Sequence, residues 1–556
     1  MGPLDSPDRA GRGFGSAPRV ETQPVSPRAQ RFVVSALSFS SSFFASDMLP
    51  VSLRLLFLLA LTASASAQPL RMIVDAEAGE TTINKHIYGH FAEHLGRGIY
   101  DGLWRESDDG WEINDDVVQA LRQIEIPNLR WPGGCFADYY FWEDGIGPVE
   151  DRPTVVNNLW GGVTEDNGVG IHEFMDLVAA LDTEPIVVGN VGSGTVQQMA
   201  DWWQYVNHPG PSPMADLRQE NGRAEPWGVE FWGVGNESWG CGGNMDAAYY
   251  ADLYKRYATF LHAYGETRPF RIAAGPAGDD YEWTETMMRE AGPMIDGLDI
   301  HHYTINGDWT TSKGPAVGFS EAEWFELMQR ALTTEDIVRG HTAIMDRYDP
   351  QNRVWLIMGE WGTWHNPYPG SNPGFLYQQN TLRDAIVAAA SLNIFNRHAR
   401  RVKMANIAQT VNVLQAMILT EGDQMILTPT YHVFDFYKVH HDATLLPMQI
   451  ERGEYTFEGQ SIPAVSASAS RDAEGRVHIT LANLHPRDGV ELEAAVRGLG
   501  DRAVSGQILT SDTWDAHNTF EAPETLVPAP FEGARLDGES LTIDLPSKSV
   551  VLLTLE

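Results

Sequence analysis

Eight short apolar runs recur between residues 85 and 422, with amphipathic stretches between them. The runs are Ile87–Phe91, Ile126–Trp131, Pro185–Asn190, Val229–Asn236, Arg271–Gly275, Gly297–Tyr303, Val354–Glu360 and Ala405–Val411. Helical periodicity marks Asp115–Ile124, His172–Leu181, Asp246–His262 and Phe375–Ala399. Consecutive parallel strands need a long crossover, so this alternation dictates a parallel sheet, and eight repeats predict a closed (β/α)8 TIM barrel of α/β class. A doubly wound open sheet would carry a glycine-rich turn after an early strand, and the pair Gly133-Gly134 does not fit that turn.

Beyond Thr428-Pro429-Thr430 the pattern changes to period two. Arg476–Leu481 and Leu541–Leu545 alternate, and Val550–Leu555 ends the chain as a buried-type strand. This predicts a C-terminal all-β sandwich, jelly-roll-like, over 425–556, with the barrel over 85–424. Residues 68–84 read as an N-terminal strand that could join the sandwich. Residues 1–47 are rich in Ser, Pro, Gly and Arg without a helix or strand period. From Met48, Arg54 precedes the apolar run Leu55–Leu61 and then Ala63-Ser64-Ala65-Ser66-Ala67. That order predicts a secretory signal over 48–67, an exported protein (periplasmic or extracellular), and 1–47 as an upstream extension foreign to the fold. No other segment is long and apolar enough to span a membrane.

The net charge of −36 offers no basic surface for a phosphate backbone, which excludes nucleic acid as a partner. Seventeen Trp are many; most suit a core, but exposed ones also stack on the C–H faces of sugars. Two Cys, Cys135 and Cys241, exclude a disulfide framework and a cysteine-based zinc site, and leave one bridge possible.

In a TIM barrel the chemistry sits where strands end. The strand ends here carry Glu93, Arg130, Asn236-Glu237, His301-His302-Tyr303, Glu360-Trp361 and Gln409. Two acids among 75 would ordinarily be solvated surface groups. Glu237 and Glu360 differ, because each follows an apolar strand and is flanked by Gly and Trp: Gly235-Asn236-Glu237-Ser238-Trp239 and Gly359-Glu360-Trp361. Glycoside cleavage needs two such carboxyls, one holding a proton for the leaving oxygen and one ionised to attack the anomeric carbon. No cofactor or metal is required.

These stretches resemble the retaining barrel glycosidases, and more narrowly the α-L-arabinofuranosidases of glycoside hydrolase family 51. The matching residues are Ile87–Arg97, Leu129-Arg130-Trp131-Pro132-Gly133-Gly134, Trp142–Pro148, Gly235-Asn236-Glu237, Gly359-Glu360-Trp361 and Ala408–Asn412. The resemblance implies exo-acting release of terminal arabinofuranose from arabinan, arabinoxylan or oligosaccharides by double displacement. It makes Glu237 the acid/base and Glu360 the nucleophile. Asn236 would bind the sugar 2-hydroxyl, and Glu93 and Gln409 other hydroxyls. Tyr303 would orient the nucleophile, Arg130 would keep it ionised, and His301 would lie in the same shell. Trp361 and Trp364 would line the sugar pocket. The family also implies a homo-oligomer, a hexamer.

One position departs from the family pattern. Many members carry Asn after the paired glycines, where this chain has Cys135, which lacks the amide's donors and acceptor. Another residue makes that contact, or the sugar or linkage preference differs; a Cys135–Cys241 bridge is a further possibility. A β-glucanase or β-xylosidase of the same family is the alternative activity. More distant are a carbohydrate-binding protein without catalysis and a metal-dependent barrel hydrolase built on His90, His94, His301 and His302. The His90-to-His94 spacing lacks the helix and the adjacent Glu of a zincin.

Overall fold

The structure, a computed structural model, describes residues 69–108, 110–500 and 502–556. The expectations for 1–47 and 48–67 lie outside the described residues. Eight parallel strands form a closed ring: β1 Gly89–Phe91, β2 Asn128–Trp131, β3 Glu184–Gly189, β4 Phe231–Val234, β5 Phe270–Ala277, β6 Gly297–Thr304, β7 Trp355–Thr363 and β8 Val402–Ala408. Strand β8 closes on β1 through Ile407–His90 and Ala408–Phe91, which rules out an open sheet.

The strand residues are almost wholly buried, as expected for a sheet covered by helices outside and side chains inside. Ile186, Phe231, Ile272, Ile357 and Met404, one from each of five strands, pack together as an apolar layer near the N-terminal ends. Further along, the period-two alternation of β6 carries Asp299, His301 and Tyr303, and polar chemistry replaces the apolar layer.

All eight predicted strands are present, with shifts at two. The first begins as a 3-10 turn, Lys85–Tyr88, before the short β1. The eighth runs Val402–Ala408 rather than 405–411, because its polar residues Lys403, Asn406 and Gln409 fall in no two-residue alternation that would set the phase. Gln409 therefore stands just past the strand end, at the barrel mouth.

The helical layer includes α1 Asp115–Gln123, α2 Ile171–Leu181, α3 Val196–Asn207, α4 Pro213–Glu220, α5 Ala247–Ala258, α6 Tyr281–Glu290, α7 Glu321–Tyr348, α8 Leu382–Arg397 and α9 Pro429–Tyr437. Helix α7 starts on a capping box of Ser320 and Glu323. Helix α8 starts at Leu382, later than the predicted 375, where Thr381 caps it. It is buried all round because one face meets the barrel and the other meets the C-terminal sheet. There Asn393 and Asn396 donate to Ser466 and Ser468 Oγ at 3.4 and 3.1 Å.

The C-terminal β domain has a five-stranded and a seven-stranded sheet. In the five-stranded sheet, Val490–Arg497 and Ser540–Leu545 alternate buried and exposed, as sheets with one solvated face do. In the other, Val465–Arg471 and Val477–Asn483 are buried on both faces. Leu70–Asp75 is an inner strand here, antiparallel to Met448–Ile450 and parallel to Val490–Arg497. The expected boundary at 425 differs from the structure. Helix α9 intervenes, and Phe434 packs on Trp361 and His90 against the barrel. Beyond α9, strands of the β domain resume at Thr444.

Candidate active site

The paired glycines after β2 let the backbone pass closer to the acids than any other residue could. A Cβ on Gly133 would lie 2.5 Å from Glu93 Cγ, and one on Gly134 would lie 2.5 Å from Glu360 Oε1. The chain then enters a 3-10 turn, Cys135–Asp138. Its start serves Glu93: the N–H groups of Gly134 and Phe136 donate to Oε1 at 3.1 and 2.9 Å. Trp160 Nε1 donates to the same oxygen at 3.0 Å, and Gln409 Nε2 to Oε2 at 3.2 Å. Burial, helped by the charge of Glu360, raises the Glu93 pKa to about 7 against these donors. Near neutrality its carboxyl can therefore both accept and donate hydrogen bonds. Gln409 Oε1 is buried with no partner among the described residues, and it belongs to a residue at the barrel mouth.

Glu360 ends the inward face of β7. Arg130 Nη1 donates to its Oε1 at 2.9 Å and Tyr303 OH to its Oε2 at 2.6 Å. Arg130 also donates to Asn236 Oδ1 at 2.6 Å, lies 3.9 Å from Asp299, and stacks over Phe91. Burial opposes the guanidinium charge, but Glu360 and Asp299 outweigh it and raise its pKa. The Tyr303 hydroxyl, buried beside Glu360, is held well above the ordinary tyrosine range and stays a donor.

Glu237 follows β4 with φ 40, in the left-handed region that side chains rarely adopt. Its Oε1 lies 2.9 Å from His301 Nδ1, which is also 3.6 Å from Glu360 Oε1. The other ring nitrogen is 3.4 Å from Asp299 Oδ2. Burial disfavours a charged His301, yet Glu360, Asp299 and the hydrogen bonds to Asp299 and Glu237 overcome it and raise the pKa to about 10. His301 is thus an imidazolium wedged between the two glutamates. Oxygen atoms of Glu237 and Glu360 come within 4.8 Å of one another, with His301 in the same group. Such a spacing suits one carboxyl attacking a carbon while the other serves its leaving oxygen, the retaining geometry.

A cavity of ≈ 860 Å³ opens from Glu237, His301 and Tyr303 toward α7, walled by Trp239, Trp309 and Trp364. Trp364 meets Tyr303 and Trp309 edge-on at 5.1 and 5.3 Å. Trp309 is 53% exposed at the mouth, with Lys313 Nζ over its ring at 5.5 Å from the centroid.

The structure brings Glu93, Arg130, Asn236, Glu237, His301, Tyr303, Glu360, Trp364 and Gln409 together. It does not bring Trp361. That residue follows Glu360 on β7, so it faces the other side and packs on Phe395 and Phe434. His90 is likewise turned outward onto Phe434, while His94 pairs with Trp131 and Glu165, so the two histidines do not converge on a metal. Cys135 and Cys241 form a disulfide, with Cα atoms 5.5 Å apart. Three residues escape the sequence reading. Asp299 lies two positions before His301, where period two could have found it. Asp138 and Trp160 come from irregular loops, which carry no periodic signal.

Comparisons with known proteins agree with this geometry. A family model described as the alpha-L-arabinofuranosidase 1 domain matches residues 120–317, and one described as the alpha-L-arabinofuranosidase C-terminal domain matches 359–549. An intracellular exo-alpha-L-arabinofuranosidase of Bacteroides ovatus is 48% identical over 90% of this chain and 98% of its own. An intracellular exo-alpha-(1->5)-L-arabinofuranosidase of Acetivibrio thermocellus is 28% identical over 78% of this chain and 88% of its own. The crystal structure of the GH51 arabinofuranosidase from Xanthomonas axonopodis pv. citri is 46% identical with TM-score 0.86, covering 88% of this chain and all of that one. The expectation of export is corrected by these relatives, two of which are named intracellular enzymes. An arginine before a seven-residue apolar run is a short pattern that also arises without any targeting role. With near half its residues identical over almost the full length of such relatives, the chain belongs to the α-L-arabinofuranosidases of glycoside hydrolase family 51.

Proposed function

We infer that the protein is a retaining, exo-acting α-L-arabinofuranosidase that releases terminal arabinofuranose from arabinose-bearing saccharides. The observation that carries this reading is the pair of glutamate carboxylates within 4.8 Å, each held by different partners. Glu360, fixed at both oxygens by Arg130 and Tyr303, is the group held in place and aimed, and it attacks the anomeric carbon. Glu237 has His301 on Oε1, while Oε2 has no N–H donor among the described residues, so Oε2 is the oxygen that carries the transferable proton. In the first step Glu360 forms an ester to the sugar as Glu237 protonates the leaving oxygen. In the second, Glu237 takes a proton from water, which attacks the same carbon and frees Glu360.

Glu93, Arg130, Asn236 and Gln409, all at most 3% exposed, are linked by hydrogen bonds around Glu360 or to one another, a buried polar cluster that suits a chain terminus rather than a chain interior. Hydrogen bonds there to sugar hydroxyls that tighten as the ring flattens would add to the rate. The test is hydrolysis of 4-nitrophenyl α-L-arabinofuranoside against 4-nitrophenyl β-D-xyloside and a soluble β-glucan, with the product anomer followed by NMR. Hydrolysis of the first with retained configuration is expected, abolished in Glu360→Ala. No hydrolysis of the first, or an inverted product, overturns the reading. A hexamer, by the family resemblance, is tested by sedimentation velocity.

A further inference from the structure

The loop that carries Glu237 is poorly equipped to hold itself in place. After Glu237 it reads Ser238-Trp239-Gly240-Cys241-Gly242-Gly243, with three glycines among six residues. Glycine leaves the backbone free and supplies no side chain to pack. The loop must nonetheless keep Glu237 at φ 40 and its carboxyl within bonding distance of His301. Internal hydrogen bonds help, from Gly240 and Gly242 N–H to the Glu237 carbonyl at 2.7 and 3.1 Å. They link the loop to itself, not to the barrel.

Two outside ties come from the 3-10 turn Cys135–Asp138. At its end, the buried Asp138 accepts the Asn236 N–H at 2.9 Å on one oxygen, and those of Val191 and Gly192 at 2.7 and 2.8 Å on the other. At its start, Cys135 is bonded to Cys241, on the far side of Glu237. Asn236 and Cys241 bracket the acid/base, and both are tied to one turn, which also binds Glu93. The bridge sulfurs lie 3.8 and 3.5 Å from Glu237 Oε2. A disulfide has no S–H, so these are contacts and not donated hydrogen bonds, and they leave Oε2 free to pass its proton.

We propose that the Cys135–Cys241 bridge is a positioning cross-link for the acid/base, clamping the Glu237 loop onto the turn after β2 and keeping Oε2 free of donors. Reduction would undo both effects. Dithiothreitol supplies two electrons and two protons: the S–S bond breaks, two cysteine thiols form, and the reagent becomes its cyclic disulfide. The loop then keeps the Asp138 tie, the Trp239 Nε1 bond to the Gly275 carbonyl at 3.1 Å and the Glu237–His301 contact, and two S–H groups stand beside Oε2. Both cysteines are half-buried, so the reagent can reach them.

This proposal rests on Glu237 being the acid/base, and its test separates the two. Protein thiols are titrated on the native full-length enzyme, and kcat/KM is measured on α-1,5-linked arabinobiose and on 2,4-dinitrophenyl α-L-arabinofuranoside. The wild type, the dithiothreitol-treated wild type, Cys135→Ser/Cys241→Ser and Glu237→Ala are compared. The native enzyme is expected to show no free thiol. The reduced and double-serine enzymes should lose about 10- to 100-fold on the disaccharide, whose leaving group needs the proton, and no more than about threefold on the activated aryl glycoside. Reoxidation with oxidised glutathione should restore the wild type and leave the serine variant unchanged. Free thiols in the native enzyme overturn the proposal, as do equal losses on both substrates or no loss on either, provided Glu237→Ala shows the leaving-group dependence. If Glu237→Ala itself shows none, the acid/base assignment falls instead.

Discussion

Replacing His301 by Gln removes the cation between the glutamates while keeping a side chain of similar reach. In the native protein this imidazole is lifted from its ordinary 6.5 to about 10, chiefly by Glu360 and Asp299 working against burial. A folded pKa above the unfolded value means that the protonated ring stabilises the fold. That contribution is complete below pH 6.5 and is lost as pH rises toward 10. At about 1.4 kcal/mol per pH unit, it amounts to at most about 5 kcal/mol. The described residues up to Glu556 form one large folded unit. Entropies of about 2 cal/mol/K per residue give roughly 1 kcal/mol/K for a chain of that size. The wild type should therefore lose up to about 5 °C of Tm from this group alone between pH 6.5 and 10. Differential scanning calorimetry at matched scan rates on wild type and His301→Gln across that range isolates the term, since every other titrating group is shared. The two Tm-against-pH curves should converge as the pH rises. Parallel curves would refute the charged-wedge reading, because a neutral His301 makes no pH-dependent contribution there.

Glu237→Ala should slow arabino-oligosaccharide hydrolysis by about 10²- to 10⁴-fold while sparing the first step on 2,4-dinitrophenyl arabinofuranoside, seen as a burst of phenolate in stopped flow. A missing burst would move the proton donor elsewhere. Gly134→Ala would place a methyl 2.5 Å from Glu360 Oε1, so kcat should fall by about 100-fold or more while circular dichroism stays native. Near-normal kcat would mean the nucleophile has room to move. Gln409→Ala removes a buried oxygen that has no partner among the described residues, and is expected to raise KM and lower kcat/KM by about 10-fold or more. An unchanged KM and kcat/KM would show that the sugar does not reach it.

The barrel, the two glutamates and most of their neighbours were legible from sequence for one physical reason. Strand and helix periods are local, and a TIM barrel puts its chemistry at strand ends, so Arg130, Asn236, Glu237, His301, Tyr303 and Glu360 could be found by asking which residue ends each apolar run. The same logic, pressed one step further, would have yielded Asp299 and turned Trp361 away from the pocket, because neighbours on a strand face opposite sides. The β domain was legible from its alternation, but α9 was hidden because it is buried on nearly every side, so no exposed polar face marks a helical period.

Other features depended on the tertiary structure alone. Asp138 and Trp160 reach the site from loops whose paths no period encodes, and Cys135 meets Cys241 across 106 residues. The protonation of His301 is likewise a sum over Glu360, Asp299 and Glu237, contributed by three separate segments of the barrel. Residue types along a chain determine which groups are available at the mouth of the barrel. Only the closing of the ring sets the distances between them, and charge interactions and cross-links depend on distance.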